Sequence, residues 1–311
     1  MTTQTMKQAR AARHRKKLQG AGRTAVTAVA TVFLLTVSLV FITPIVLTLT
    51  NSFMAGSEIA ANYGRIFTSV TTAGTYVADK VNLKLLPDMV SFSQYETVLL
   101  KTPDYLFKFW NSVILVVPIV VFQTVVALIA SYGFARFDTK ARSLIFFVYI
   151  ILMLMPYQVT LVPNYFVSEW LGILNTRWAI ILPGIFSPFA VFILTKFMRR
   201  IPSSVIEAAK LDGAGEWQIF TKICAPMSKS IVTSVAILVY IDYWNMVEQP
   251  LILLSDVEMH PLSVFLSKIN AGEIGLAFAV ASIYMIPSLL MFLYGEDYLV
   301  DGITYSGGIK G

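Results

Sequence analysis

The chain has 311 residues, of which 56% are hydrophobic and only 14% are charged, and its formal net charge is +6. Water-soluble domains carry about 25% charged residues, so this composition excludes an ordinary soluble protein. The apolar residues also form runs of about 20, the length that crosses the hydrocarbon core of a bilayer. The composition therefore predicts an all-α membrane protein.

Six apolar segments predict six transmembrane helices. Their approximate bounds, in chain order, are 25–49, 112–132, 144–163, 178–197, 231–254 and 276–298. Several spans contain prolines, namely Pro118, Pro156, Pro183, Pro188 and Pro287. A proline inside a span frees a backbone carbonyl that needs another partner or water. These prolines therefore indicate either broken helices around a pathway or ordinary kinks in a packed bundle.

Basic residues are distributed unevenly along the chain. Residues 1–24 form a basic tail, and further Lys and Arg residues follow the second and fourth spans, whereas the opposite short loops hold few. Under the positive-inside rule this pattern predicts that both termini lie in the cytoplasm of a multi-pass membrane protein. We interpret the tail as a topology signal and a contact for membrane lipids, with no nucleic-acid partner.

The long segment 50–111 follows the first predicted span and is predicted to lie outside the cytoplasm. It mixes Gly, Thr and Ser with short apolar runs, and its SFSQYETVL stretch predicts a small helix. A segment of this length is too small for an independent core. We interpret it as a cap on the outer mouth of the bundle.

The polar loop 201–230, between the fourth and fifth spans, is the most informative part of the chain. Ser204 and Glu207 have the S-x-x-E spacing of a capping box, which predicts the start of a short helix. Asp212-Gly213 predicts its end, because glycine readily adopts the left-handed conformation that terminates helices. The sequence predicts a second short helix over 216–223 that ends near Pro226. This elbow indicates either a docking element or a helix lying on the membrane surface.

Polar residues also occur in the fifth predicted span, where they are costly in lipid. Asp242, Asn245 and Gln249 follow the i, i+3, i+7 spacing and are expected to share one helix face. Glu248 and Tyr243 lie beside them. We interpret these five residues as part of a translocation path for hydroxylated cargo, with interhelical hydrogen bonding as the alternative.

Catalytic and metal sites are not predicted anywhere in the chain. Cys224 is the one cysteine, and His14 and His260 are the two histidines, so neither a disulfide nor a metal cluster is expected. The sequence contains no G-x-x-x-x-G-K-[ST] phosphate loop, so any nucleotide chemistry must come from a partner. We therefore expect no catalytic residue and no cofactor bound by this chain.

The polar loop resembles that of a known family. Its Glu207-Ala208-Ala209 and Asp212-Gly213-Ala214 stretches are similar to the EAA motif of the permeases of binding-protein-dependent ABC importers. Ala225-Pro226 departs from the Leu-Pro usual in that family. Further stretches resemble the carbohydrate, maltose-type branch, among them Asn111-Ser112, Tyr132-Gly133-Phe134-Ala135-Arg136, Trp244-Asn245 and the terminal Gly307-Gly308-Ile309-Lys310-Gly311.

The resemblance implies a fold and two contacts with ATP-hydrolysing subunits. It implies an ABC importer permease fold, with a five-helix core over 112–302 that follows the first span. Residues 207–209 and 212–214 would dock on an ATPase subunit by inserting a helix into a groove. The tail 303–311, with Gly307, Gly308, Lys310 and Gly311, would reach the interface between two ATPase subunits.

The resemblance also implies partners and a location. The expected partners are a second permease forming a heterodimer, two ATP-binding subunits that hold ATP and Mg²⁺, an extracytoplasmic sugar-binding protein and the carbohydrate cargo. The expected location is the bacterial inner membrane. A stand-alone secondary transporter or channel is the main alternative, because a polar span and broken helices are compatible with it. A membrane enzyme is a weaker alternative, since no nucleophile and base are paired.

Overall fold

The computed structural model of the protein describes residues 3–63, 82–137, 139–268 and 274–307. Within these ranges the chain is helical and contains no strand beyond one isolated bridge between Met54 and Val90. It divides into two compact units, Met1–Ser91 and Phe92–Gly311. The all-α prediction therefore agrees with the structure.

Two helices lie in the described part of the first unit. Helix α1 is Thr3–Asn51, and its apolar part, Val26–Asn51, is long enough to cross a membrane. The helix thus runs through most of the predicted basic tail as well as the first predicted span. Helix α2 is Gly56–Tyr63, and its end is tied to α1 because the Asn51 amide donates to the Tyr63 hydroxyl at 2.6 Å.

The Glu58 carboxylate of α2 holds the segment that contains Lys84 and Asp88 against that helix. Glu58 accepts a hydrogen bond from the Asp88 backbone N–H at 2.9 Å and pairs with the Lys84 ammonium at 2.9 Å. These two donors, the Asp88 N–H first, lower the pKa of the Glu58 carboxyl. Lys84 also pairs with Asp88. Glu58 therefore stays ionised near neutral pH and orders this part of the predicted outer segment.

The second unit contains the remaining described helices. The first six are α3 Ser93–Glu96, which continues as a π turn over Thr97–Lys101, α4 Asp104–Arg136, α5 Lys140–Met153, α6 Tyr157–Trp170, α7 Trp178–Gly184 and α8 Pro188–Met198. The others are α9 Ser203–Leu211, α10 Glu216–Ile219, which continues as a π turn over Phe220–Cys224 and as α11 Ala225–Met227, α12 Lys229–Trp244, α13 Glu248–Leu253, α14 Leu262–Ser267 and α15 Ile274–Gly307. Helix α3 confirms the small helix predicted for SFSQYETVL.

Membrane-crossing length and composition are met by four helical segments within the described residues. They are Val26–Asn51, Asp104–Arg136, Trp178–Met198 and Leu276–Val300. Two further pairs meet the same criteria only when each pair is counted as one span: Lys140–Met153 with Tyr157–Trp170, bent by 105°, and Glu216–Met227 with Lys229–Trp244, bent by 72°. The described part of the chain thus offers four to six candidate spans.

Prolines interrupt some spans and leave others intact. Pro118 and Pro287 lie inside the continuous helices α4 and α15, so at these two positions the structure favours the alternative of a packed helix over a broken one. Pro156 separates α5 from α6 at the 105° bend. Pro188 starts α8, where a proline costs little because the first helical N–H has no partner within the helix. The Ser187 hydroxyl caps that helix by accepting from the Ala190 N–H at 3.3 Å.

The core of the second unit forms where α4 meets α7, α8 and α12. Leu115 and Ile119 of α4 and Leu194 of α8 are fully buried there. Gly184 allows α7 to approach α4 closely, because a Cβ at this position would lie 3.1 Å from three side-chain carbons of Ile119. This contact positions the end of α7 beside the break that precedes α8.

Polar residues at the start of the predicted second span hold a neighbouring loop. Asn111 donates to the Glu258 carbonyl at 2.6 Å and accepts from the Arg177 guanidinium at 2.8 Å. The Ser112 hydroxyl accepts from the Leu262 N–H at 3.0 Å, which satisfies a donor at the start of α14. Asn111 and Ser112, two of the residues behind the family resemblance, therefore position the chain that enters α14.

Candidate functional site

The polar loop contains the predicted elbow, and its turn is a Schellman motif. Gly213 has φ +81°, which favours glycine. Its N–H donates to the Lys210 carbonyl at 3.0 Å, and the Ala214 N–H donates to the Ala209 carbonyl at 2.9 Å. This pair of bonds satisfies the last carbonyls of α9 and ends the helix abruptly. The stop predicted from Asp212-Gly213 is confirmed.

The start of the first predicted helix differs from expectation. The residue that precedes α9 is Pro202, and no side chain caps the helix. Ser204 lies inside the first turn rather than at the capping position, so the predicted capping box is wrong. The second helical run starts at Glu216 and continues through a π turn to Met227, so its predicted end near Pro226 is confirmed, although it extends past the predicted residue 223.

The exposed surface of the elbow is more apolar than the sequence analysis expected. Glu207, Ala208 and Asp212 are exposed, whereas Ala209 and Ala214 are half-buried against the apolar cluster beneath. Leu211 is 90% exposed and Trp217 is 67% exposed. Sequence reasoning missed these two residues; for Leu211 the available signal was that it lies outside the face of α9 that contains the buried Ile206.

Hydrogen bonds join the elbow to the end of α4. The Tyr132 hydroxyl donates to Glu216 Oε2 at 2.6 Å, and Tyr132 is only 6% exposed. Lys210 Nζ lies 2.6 Å from Glu216 Oε1. Glu216 thus links the last turn of α9 to α4 through one carboxylate. The sequence analysis did not identify this link, since 84 residues separate Tyr132 from Glu216.

A second link to α4 caps the end of α8. The Arg136 guanidinium donates to the carbonyl of Met198 at 3.1 Å and to that of Ile201 at 3.3 Å. Carbonyls at a helix C-terminus lack partners within the helix, and a cationic donor satisfies them. Arg136 therefore positions the start of the polar loop relative to α4.

The fifth predicted span is broken, so the predicted shared face is wrong. Helix α12 ends at Trp244, and α13 begins at Glu248. Asp242 lies before the break, Asn245 in it and Gln249 after it. The cause is Pro250, which has no N–H to give the carbonyl of Met246 and would clash with it in a continuous helix.

Side chains from other helices satisfy the carbonyls at this break. The Ser263 hydroxyl donates to the Met246 carbonyl at 2.5 Å. The Tyr284 hydroxyl lies 2.7 Å from the Trp244 carbonyl and 2.9 Å from Asn245 Oδ1. Irregular backbone within a membrane protein needs such partners. Asn245 therefore has a structural role at the break and is bonded rather than free.

Replacing Ser263 by Ala is expected to lower the free energy of unfolding by about 1–3 kcal/mol, because the buried Met246 carbonyl would lose its donor. The measurement is the thermal unfolding midpoint in detergent. Ser267→Ala is the control, since its hydroxyl donates only to Val264 within α14 and the residue is exposed. Equal destabilisation by the two variants would contradict the assigned role of Ser263.

Helix breaks meet at one cavity of about 670 Å³ in the second unit. The end of α5, the break between α7 and α8, and the segments on either side of the α12–α13 break all contribute to its lining. Most of the lining is apolar, and the polar lining residues are Gln123, Tyr157, Thr160, Asn164, Ser187, Asp242, Tyr243 and Gln249.

Three of the five predicted path residues line this cavity, and the other two do not. Asp242, Tyr243 and Gln249 line it, whereas Asn245 and Glu248 do not. Glu248 instead accepts from the Gln158 amide at 3.4 Å. Gln123 of α4 was missed, although a lone Gln in an apolar span was the available signal. It is 2% exposed, and its Oε1 has no hydrogen-bond partner within the described residues.

The predicted tail site is described only in part. Residues 303–307 continue helix α15, so Gly307 is its last residue. Gly308, Lys310 and Gly311 lie outside the described residues. Within the ranges that the structure covers, no group of three or more His, Cys, Asp or Glu side chains could hold a metal ion.

Comparison with known proteins gives a consistent result. The model of the family described as "Binding-protein-dependent transport system inner membrane component" matches residues 97–299. The chain is 33% identical over 241 residues to the arabinooligosaccharides transport system permease protein AraQ of Bacillus subtilis (strain 168), covering 74% of this chain and 83% of that protein. It is 28% identical over 249 residues to the polygalacturonan/rhamnogalacturonan transport system permease protein YtcP of the same organism, covering 73% and 84%.

A solved structure shares the fold. One chain of a bacterial ABC transporter involved in the import of the acidic polysaccharide alginate aligns with a TM-score of 0.71 at 22% identity. The alignment covers 87% of this chain and 95% of that chain. At this identity the likeness shows the ABC importer permease fold alone.

Proposed function

We propose a specific role for this chain, which belongs to the family of binding-protein-dependent transport system inner membrane components and is a permease of the sugar-importer type. In this role it imports a sugar or oligosaccharide that an extracytoplasmic binding protein delivers. ATP hydrolysis by two partner subunits, which hold ATP and Mg²⁺, drives the cycle. A second, different permease forms the other half of the membrane unit.

The observation that carries this role is the exposed elbow. Leu211 is the last residue of α9, which a Schellman turn ends, and Glu207 and Ala208 lie exposed on the same helix. The exposed Trp217 lies just after the turn, in α10. Exposed apolar patches rimmed by polar residues are typical of protein interaction sites. We assign this surface to an ATPase subunit, where α9 lies in a groove as a docking helix. The tail residues Gly307, Gly308, Lys310 and Gly311 would add a second ATPase contact.

The proposed topology has six spans with both termini in the cytoplasm of the bacterial inner membrane. It counts the bent pair α5–α6 as one span. It counts α12 together with α13 as another, which corresponds to the predicted span 231–254. The basic residues of the tail and of the polar loop then lie on the same, cytoplasmic side. Under this topology the docking helix faces the ATPases, and the segment 50–111 faces the binding protein.

The proposed path for cargo is the cavity lined by Asp242, Tyr243 and Gln249. Broken helices around a cavity that carries a few polar groups are a common way to build a transport site within a membrane. ATP binding would draw the two ATPase subunits together, move the docked helices and open the cavity outward. Hydrolysis would return it to the inward-facing state. The stand-alone transporter remains the alternative only if transport proceeds without ATPases.

The proposed role is tested by expressing this chain with its neighbouring permease, ATPase and binding-protein genes and reconstituting the purified complex into proteoliposomes. We expect the ATPases to co-purify with the chain and saccharide uptake to require both ATP and the binding protein. A catalytic variant of the ATPase is the control and should abolish uptake. Uptake by the chain alone, without ATPases, would contradict the proposal.

A further inference from the structure

We infer that this permease favours uncharged, polyhydroxylated cargo over acidic sugars and that Asp242 sets this preference. The inference rests on the proposed function and narrows its substrate class. Its starting point is a difference among similar proteins. AraQ is named for arabinooligosaccharides, which carry no ionisable group, whereas YtcP is named for polygalacturonan and rhamnogalacturonan, and the structurally similar importer takes the acidic polysaccharide alginate.

The charge of the cavity lining favours the uncharged class. Asp242 is the one ionisable carboxyl among the lining residues, and no Lys, Arg or His side chain lines the cavity in the part of the chain that the structure describes. Recognition of a carboxylate in a dry site normally uses Arg or Lys. Asp242 has no hydrogen bond or ion pair to another described residue. In either protonation state it offers a uronate no positive charge.

The hydrogen-bonding groups of the cavity also favour hydroxyl donors. Gln123 Oε1 is buried without a partner among the described residues, so it is an acceptor that lacks a donor. Such a group costs free energy until a donor reaches it. A sugar hydroxyl can donate, and an ionised carboxyl can only accept. Gln123 Oε1 and an ionised Asp242 therefore both match hydroxyl donors, and neither offers a hydrogen to a carboxylate, whereas the Gln123 amide N–H group can donate to either class of cargo.

Tyr243 is a third cavity residue whose chemistry suits a neutral sugar. It lies next to Asp242 in sequence and lines the cavity, whereas the neighbouring Tyr240 and Trp244 are buried in the core and stack on each other at 5.3 Å. A partly buried aromatic ring offers an apolar face together with a polar hydroxyl. The combination of an aromatic face with acceptors suits the ring and the hydroxyl groups of a neutral sugar.

The test uses the assembled transporter in lipid nanodiscs without the binding protein, so that only the membrane path selects. Binding of neutral trimers of arabinose and glucose is compared with binding of trigalacturonate. We expect a neutral trimer to bind about tenfold or more tightly than the uronate, because an ionised Asp242 repels a carboxylate and no cationic side chain in the described lining offsets that repulsion. Asp242→Asn should reduce the ratio of the trigalacturonate Kd to the neutral-trimer Kd. Asp242→Lys should make trigalacturonate the tighter-binding of the two.

Two further variants sharpen the result. Gln123→Leu should weaken binding of the neutral trimers while leaving Asp242 in place. Glu169→Gln is the matched control, because it removes an exposed carboxyl outside the cavity and should leave the ratio unchanged. Equal or tighter binding of trigalacturonate by the unmodified protein, or an unchanged ratio in Asp242→Asn, would overturn the inference while the importer role stands. Binding of neither class, with no ATP-dependent uptake of any saccharide, would instead overturn the proposed function.

Discussion

Replacing Gly213 by Val is expected to separate ATP hydrolysis from uptake. The residue has φ +81°, where an L-residue costs about 1–2 kcal/mol and a β-branched side chain costs more. The strain should unwind the turn that ends α9 and displace Leu211 and the docking surface. We expect ATP-driven uptake in proteoliposomes to fall about tenfold or more while membrane insertion is retained, since about 1.4 kcal/mol corresponds to a factor of ten.

Gly215 provides the control for that experiment. It lies two residues further on, its φ is −74°, and a Cβ at this position would meet nothing within 4 Å. Gly215→Val places the same side chain in the same loop without backbone strain, so uptake should stay near that of the unmodified protein. Similar losses in the two variants would show that the loop tolerates no bulk, and the importance assigned to the left-handed turn would be wrong.

Removing the bond between Tyr132 and Glu216 is expected to have the second large effect. Tyr132→Phe deletes a buried hydroxyl that donates to a carboxylate at 2.6 Å, and hydrogen bonds to charged groups contribute about 1.5–3 kcal/mol. The link between α4 and the polar loop should loosen. We expect a larger drop in uptake than in ATPase activity, measured on the same reconstituted preparation.

A comparison within the same cluster tests whether the buried bond is the part that matters. Lys210 also pairs with Glu216, but its side chain is 53% exposed, and exposed ion pairs contribute only about 0–1 kcal/mol. Lys210→Met should therefore change uptake little. Tyr132→Phe combined with Glu216→Gln should cost scarcely more than either change alone. Additive losses, or a Lys210→Met effect as large as that of Tyr132→Phe, would contradict this account.

Local chemistry explains which parts of the polar loop could be predicted from sequence. The stop at Asp212-Gly213 depends on one residue's backbone freedom, so two letters of sequence suffice to predict it. The capping box failed because the chain reaches Ser203 already in helical register, which a four-residue pattern does not reveal. The bond from Tyr132 to Glu216 joins residues 84 positions apart, and its formation depends on how α4 packs against the loop.

The residues around the cavity were also predictable from sequence only in part. Asp242 was predicted because an ionisable group within an apolar span is costly in lipid. Its predicted partnership with Asn245 assumed a continuous helix, and Pro250 was the available sign of a break. That Ser263 and Tyr284 would satisfy the resulting carbonyls depends on tertiary packing. Gln123 joins Asp242 around the cavity for the same reason, since the two residues lie on helices far apart in sequence.

The exposure of Leu211 and Trp217 has a consequence for the cell. Under the proposed topology and assembly, a copy of the chain synthesised without its companions would present two large apolar side chains to the cytosol and become a target for chaperones and proteases. Its abundance should then depend on synthesis of the motor subunits, so that deleting their gene would deplete the permease without any change in its own transcript.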